Sequence, residues 1–138
     1  MDIHILGTIS AAFAAFVFGW VWYSDALFGK TWRKLAGVSD ELHQQMAANK
    51  AIMIRTMILY FASLLLLGGC ISYLLTMLNI SMLGDALALA FCLWVGIAVP
   101  ASIGSVLWER RPWSFYGINI FYILIAMLLA AGVLVWMM

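Results

Sequence analysis

The sequence predicts an all-α membrane protein, a bundle of four transmembrane helices. Hydrophobic residues make up 67% of its 138 residues and charged residues only 9%, whereas soluble domains carry about 25% charged residues. The hydrophobic residues form four long runs, and all Lys and Arg residues fall at the same end of these runs. Because lipid cannot hydrogen-bond to the backbone, apolar runs of this length favour helices.

The four apolar runs define one transmembrane domain over residues 1–138. A spanning helix needs about 20 mostly apolar residues. The predicted spans are residues 3–22, 51–78, 82–108 and 114–138, with an inner loop at residues 23–50. The first run has no positive flank and exceeds the roughly 7 to 15 apolar residues of a signal peptide, so we interpret it as a retained first span.

The distribution of positive charge predicts the orientation. Cytoplasmic loops are enriched in Lys and Arg, since these residues resist translocation. The seven positive residues are Lys30, Arg33, Lys34, Lys50, Arg55, Arg110 and Arg111. They lie around the inner loop or between the third and fourth runs, and the other connections carry none. We therefore expect the amino and carboxyl termini outside and the basic segments in the cytoplasm.

The inner loop contains an amphipathic segment. Apolar residues recur near a helical period among three positive residues between positions 27 and 35, a pattern that is typical of a helix lying on the membrane surface. The residues expected to face lipid, with anionic head groups as partners, are Trp32, Lys30, Arg33 and Lys34. We expect Gly37 to end this helix and Ser39 to begin another, which continues into the second span.

One face of the first span carries a small residue at every fourth position. These residues are Gly7, Ala11, Ala15 and Gly19. Such a stripe lets two helix backbones approach closely, which drives helix association in lipid. It fits either packing against another helix of the same chain or a contact between subunits of a homo-oligomer.

Pro100 interrupts the third span. Proline lacks a backbone N–H and clashes with the preceding turn, so we expect a kink at this point. The kink favours either a packing bend or, as in some transporters, a helix that lines a cavity with freed backbone groups.

Polar side chains gather in the inner half of the last three spans. Asn119 and Tyr122 are three residues apart and share a helix face. An amide in hydrocarbon requires a partner, so we expect Asn119 to face the bundle and to bond near Ser102 or Ser105. The candidate ligand-binding residues are Asn119, Tyr122, Ser102, Ser105, Tyr60, Glu109 and Arg111. They favour either a pocket for a small molecule or ion, or an interhelical hydrogen-bond network.

The sequence disfavours several classes of function. Its net charge of +1 argues against nucleic acid, which requires a clustered excess of Lys and Arg. Neither a Gly-rich phosphate loop nor metal-ligand spacing is present, and His4 and His43 fall at opposite ends of the protein. We therefore expect no metal and no cofactor. An enzyme would need a nucleophile with a base, or paired carboxylates in one pocket, so we expect no catalytic residues.

Two stretches of the chain resemble a known family. The first stretch is Trp22-Tyr23-Ser24, then Leu27-Phe28-Gly29-Lys30 and Trp32, and the second has Glu109, Arg111-Pro112, Ile118-Asn119 and Tyr122. The chain is similar, over nearly its whole length, to small bacterial four-span proteins catalogued as domain of unknown function seventeen sixty-one. The resemblance implies a multi-pass protein of the bacterial inner membrane without an assigned activity or cofactor. Members often carry a histidine where this chain has Ile123, so a role for that imidazole is not expected.

Two functions from different classes fit these features. The first is a protein that binds or passes a small molecule or ion at the inner polar cluster. An oligomer is expected in that case, because four helices enclose little volume. The alternative is a structural or accessory membrane protein that recruits lipid or a protein partner, in which the polar cluster only holds the bundle together.

The predicted orientation is tested by cysteine labelling of intact cells with a membrane-impermeant thiol reagent. A cysteine added after Met138 should react from outside, whereas a cysteine in Gly37→Cys should react only after the cells are opened. The reverse accessibility would overturn the orientation.

Overall fold

The computed structural model describes residues 4–138. Its helices, in chain order, are α1 (Ile5–Trp22), α2 (Gly29–Ala36), α3 (Asp40–Ala48), α4 (Lys50–Met77), α5 (Leu83–Leu93), a π-helical segment (Trp94–Ala98), α6 (Val99–Ser102), α7 (Gly104–Leu107) and α8 (Trp113–Met137). No strand occurs between residues 4 and 138, which confirms the predicted all-α class. Ile3, where the first predicted span begins, lies outside the described residues.

Four helical stretches are long and apolar enough to cross a membrane. They are Ile5–Trp22, Lys50–Met77, Leu83–Leu107 and Trp113–Met137, and their ends differ from the predicted ones by at most two residues. Gly7 near the start of α1 lies beside Leu134 near the end of α8, and Gly19 lies beside Tyr122. These two helices are therefore antiparallel, and the predicted four-helix membrane bundle is confirmed.

The inner loop folds into two short helices that end where the sequence provides caps. Gly37 ends α2 with a φ of 76°, in the left-handed region that glycine adopts without strain. The Ser39 side chain accepts a hydrogen bond from the Leu42 N–H at 3.1 Å and begins α3. The expected continuation into the second span is wrong, because Asn49 breaks the helix and its side chain caps α4 through the Ile52 N–H at 3.3 Å.

The small-residue stripe of α1 is buried between α4 and α8. Ala11 is 0% exposed and Ala15 is 1% exposed, and α1 packs against both neighbouring helices. A β-carbon at Gly68 of α4 would lie 3.3 Å from the Thr8 carbonyl oxygen, so the two backbones are close. The structure therefore places the stripe inside the chain rather than on a surface open to a second subunit.

The third span is broken around Pro100 and packs mainly on α8. The π-helical segment ends two residues before Pro100, where a proline removes one helical hydrogen bond. Two side chains tie this region to α8: the Tyr116 hydroxyl donates to the Val99 carbonyl at 2.8 Å, and the Trp94 indole donates to the Ile120 carbonyl at 2.8 Å. The interruption is thus a bend held by packing.

Candidate functional site

A cavity of about 640 Å³ opens at the basic end of the bundle, where α1 ends and α4 and α8 begin. The end of α1 and the helices α2, α3, α4 and α8 contribute to its wall. The lining residues are Tyr23, Gly29, Trp32, Arg33, His43, Thr56, Tyr60, Asn119, Tyr122 and Ile123. Its volume falls in the range of about 300–1,000 Å³ that is typical of small-molecule sites.

The cavity exists because α4 diverges from the bundle toward the basic end. The buried residues of α4 all lie between Leu64 and Leu75. By contrast, burial on α1 reaches Gly19, and burial on α8 begins at Ile118. The first half of α4, which includes Tyr60, therefore borders a gap between itself, α1 and α8.

Asn119 is the polar centre of the cavity wall. Its Oδ1 accepts a hydrogen bond from the Tyr23 hydroxyl at 2.7 Å and another from the Trp32 Nε1–H at 3.0 Å. An indole can only donate, so this contact fixes which end of the amide carries the oxygen. The expected bond to the region of Ser102 or Ser105 is wrong, because the partners come from the end of α1 and from α2.

A second set of hydrogen bonds links α4, α8 and α1 about one helical turn after Asn119 on α8. The Tyr60 hydroxyl donates to the Tyr122 hydroxyl, which in turn donates to the Ala15 carbonyl at 3.1 Å. A β-carbon at Gly19 would lie 2.8 Å from the Tyr122 hydroxyl oxygen. Gly19 thus leaves room for a tyrosine side chain as well as for a close helix contact.

Helix α2 is anchored to the start of α8 through its middle and at its carboxyl end. The Trp32 ring stacks on Phe115 with the ring centroids 5.9 Å apart. The Arg111 Nη1 group donates to the Ala36 carbonyl at 3.0 Å, which places a cation at the carboxyl end of α2, where the helix dipole is negative. The same guanidinium lies over the Phe115 ring, 5.5 Å from its centroid.

The prediction that Trp32 and Arg33 face lipid is wrong. Trp32 bonds to Asn119, and the Arg33 side chain is only 11% exposed and contributes to the cavity wall. Lys30 and Lys34 are exposed. The amphipathic pattern identified an apolar face on α2 but could not tell whether lipid or α8 covers it.

The charges around the cavity come from α2 and the turn before it. The Arg33 Nη1 group lies 2.7 Å from the Asp25 carboxylate, which is 57% exposed. The hydrogen bond from Arg33 lowers the pKa of Asp25 below its ordinary value, with smaller contributions from the charges of Lys30 and His43. Burial, with a smaller contribution from Tyr122, raises the pKa of Tyr23, so its hydroxyl remains a donor.

Four of the sequence-predicted site residues lie away from the cavity. The Ser102 hydroxyl donates to the Ala98 carbonyl at 2.5 Å within its own span, and Ser105 and Glu109 do not line the cavity. Arg111 caps α2 instead. The reason is that the third span packs on α8 and contributes none of the described lining residues, whereas Asn119, Tyr122 and Tyr60 do meet there.

Sequence reasoning missed the contribution of the inner loop to the site. Tyr23, Gly29 and His43 line the cavity although depth counting along the spans placed none of them there. The stretch from Trp22 to Trp32 was marked by its family resemblance and, from residue 27 onward, by an amphipathic pattern that was assigned to the membrane surface. Within residues 4–138, no three His, Cys, Asp or Glu side chains lie close enough together to hold a metal ion.

The fold and the cavity define a small multi-pass helical membrane protein with a recess at its basic end, lined mainly by apolar surface and by a few polar groups. A family described as protein of unknown function (DUF1761) matches residues 6–135, and the chain belongs to this family. The resemblance noted in the sequence is therefore confirmed. Searches of curated proteins and of solved structures found no match.

The role of Asn119 is tested by Asn119→Leu, which leaves the Tyr23 and Trp32 donors unpaired. We expect a loss of about 1 to 2 kcal/mol in the free energy of unfolding. Trp32→Phe should lower the free energy of unfolding less in the Asn119→Leu variant than in the wild-type protein, because both changes remove the same hydrogen bond. The matched control is Trp20→Phe, since Trp20 is 64% exposed. Full additivity of the Asn119 and Trp32 changes would contradict the contact.

Proposed function

We propose that the protein binds a small amphipathic molecule in the cavity at its basic end. The observation that carries the proposal is the orientation of Asn119. Its oxygen is saturated by Tyr23 and Trp32, while its amide nitrogen has no hydrogen-bond partner among the described residues and belongs to a cavity-lining side chain. A ligand with an acceptor atom would use these two free donors.

The composition of the wall supports a ligand that is apolar over most of its surface. Aromatic rings from α1, α2, α4 and α8 surround the amide, and aliphatic surface comes from Ile123. Binding sites for small molecules typically combine such apolar walls with a few fixed polar groups. The hydrogen bonds that hold Asn119 fix its position before any ligand arrives, which reduces the ordering cost of binding.

Binding is better supported than passage through one chain. The half of the bundle opposite the cavity is packed around buried small and aliphatic residues. These are Ala11, Ile71, Leu75, Ala86, Ala90, Met127, Ala130, Ala131 and Leu134. A route across the membrane would therefore run between subunits of an oligomer. We further propose that the protein lies in the bacterial inner membrane with the cavity on the cytoplasmic side, as the positive charges suggest.

A structural or accessory role is the second candidate. It is favoured by the anchoring of α2, since Trp32, Arg111 and Phe115 would hold this helix in place without any ligand. In that case Lys30 and Lys34 would present charge to anionic lipid or to a partner protein. The two roles differ in whether the cavity is occupied.

The proposed binding is tested by purifying the protein from membranes and identifying co-purified small molecules by mass spectrometry of an organic extract. Thr56→Trp should abolish recovery of the co-purified molecule. Thr56 is an exposed residue of α4 that lines the cavity, so the larger indole would fill the cavity. The matched control is Leu66→Trp, since Leu66 is 78% exposed on the same helix. Wild-type protein with no enriched molecule, or equal recovery from both variants, would contradict the proposal.

A further inference from the structure

We propose that the ligand presents an anionic group, a carboxylate or a phosphate, to Arg33 and Asn119. This inference rests on the proposed function and names the class of ligand that the cavity takes. The anionic group is carried by an amphipathic molecule whose apolar part lies against the aromatic wall.

The unused hydrogen-bonding capacity of the Asn119 side chain consists of donors. The Asn119 oxygen accepts from both Tyr23 and Trp32, so only its N–H groups remain. The Trp32 indole is itself a donor and is already used. A ligand that meets this wall therefore needs acceptor atoms, and carboxylates and phosphates offer several of them.

Arg33 adds a positive charge and an unsatisfied donor to the same wall. Its side chain is 11% exposed, and its Nε–H is buried without a hydrogen-bond partner among the described residues. A buried donor that lacks an acceptor destabilises the folded protein, and more so when the group is charged. The Asp25 carboxylate satisfies only the Nη1 side of the guanidinium. An anion in the cavity would offset the charge of this guanidinium, and a rotation of the side chain would bring the Nε–H to it.

The charges around the cavity disfavour a cationic ligand. None of the described lining residues is Asp or Glu, whereas Arg33 is a permanent cation. The Asp25 carboxylate is 57% exposed and already paired with Arg33. Lys30 and Lys34 lie on the same helix as Arg33, beside a second recess of about 450 Å³ that also includes Arg33 and Asp40. Three positive charges meet one negative charge there, so the potential is positive.

The inference is tested with three probes of equal chain length and different charge: laurate, methyl laurate and dodecylamine. Each is isotopically labelled and titrated against protein in phosphatidylcholine nanodiscs, and binding to empty nanodiscs is subtracted. We expect laurate to bind about tenfold more tightly than methyl laurate, a difference of about 1.4 kcal/mol, because its carboxylate accepts charge-assisted hydrogen bonds. Dodecylamine should bind more weakly than either.

Arg33→Gln should remove the preference for laurate, so that laurate and methyl laurate bind with the same affinity. The matched control, Lys30→Gln, loses the same charge on the same helix outside this cavity and should keep the preference. Unfolding measurements on both variants exclude a loss of fold. Excess inorganic phosphate distinguishes the source of the anion: displacement of laurate indicates a site that also takes free aqueous anions, and its retention indicates a membrane-borne amphiphile.

Two results would overturn the anionic assignment. If methyl laurate binds as tightly as laurate and Thr56→Trp abolishes the binding of both, the ligand is not an anion but the cavity still binds a small molecule. If none of the three probes binds in a manner that Thr56→Trp prevents, the assignment also fails. The proposed function is then decided separately by the co-purification experiment.

Discussion

A single carbonyl oxygen holds together the three parts of the basic end. The Asn119 oxygen on α8 accepts one hydrogen bond from the end of α1 and one from α2. Away from bulk water an unpaired amide is costly, and each donor would be equally costly if left alone. The three side chains therefore stabilise one another. Without this junction, the contacts of α2 with the start of α8 would be mainly those of Phe115 and Arg111.

The two ends of the bundle are packed in different ways, and the difference produces the cavity. At the end away from the positive charges, small residues of α1 let α4 and α8 approach closely, so that Ala11 and Leu75 are fully buried. At the basic end the side chains between the helices are large and aromatic, and α4 lies farther from α1 and α8. Tyr60 and Tyr122 bridge the widening gap by hydrogen bonding to each other and to the Ala15 carbonyl. The space beyond them remains open.

The sequence was sufficient to predict the spans and the small-residue stripe, because both follow from local composition and helical period. It also grouped Asn119, Tyr122 and Tyr60, which line one cavity. It could not show that Asn119 bonds to Tyr23 and Trp32, since those residues precede it by 96 and 87 positions. Counting depth along the spans treated the inner loop as surface. The aromatic and basic residues of α2 line the cavity because α2 packs against α8, a contact that the sequence does not show.

The same limit explains the wrong placement of Ser102 and Ser105. Helical depth gives the height of a residue in the membrane, but not which neighbouring helix its face meets. The third span packs on α8 through Trp94 and Tyr116. Its serines therefore bond locally or lie away from the cavity, although counting along the sequence placed them in the same inner half of the spans as Tyr60.

Helix α2 lies on the bundle through Asn119 rather than on the lipid surface. A density map of the protein in lipid nanodiscs tests this placement most directly. We expect the Trp32 indole within hydrogen-bond distance of the Asn119 side chain, with the cavity open next to α2. A map in which α2 lies on the bilayer, with Trp32 among lipid head groups and Asn119 bonded to another helix, would contradict it.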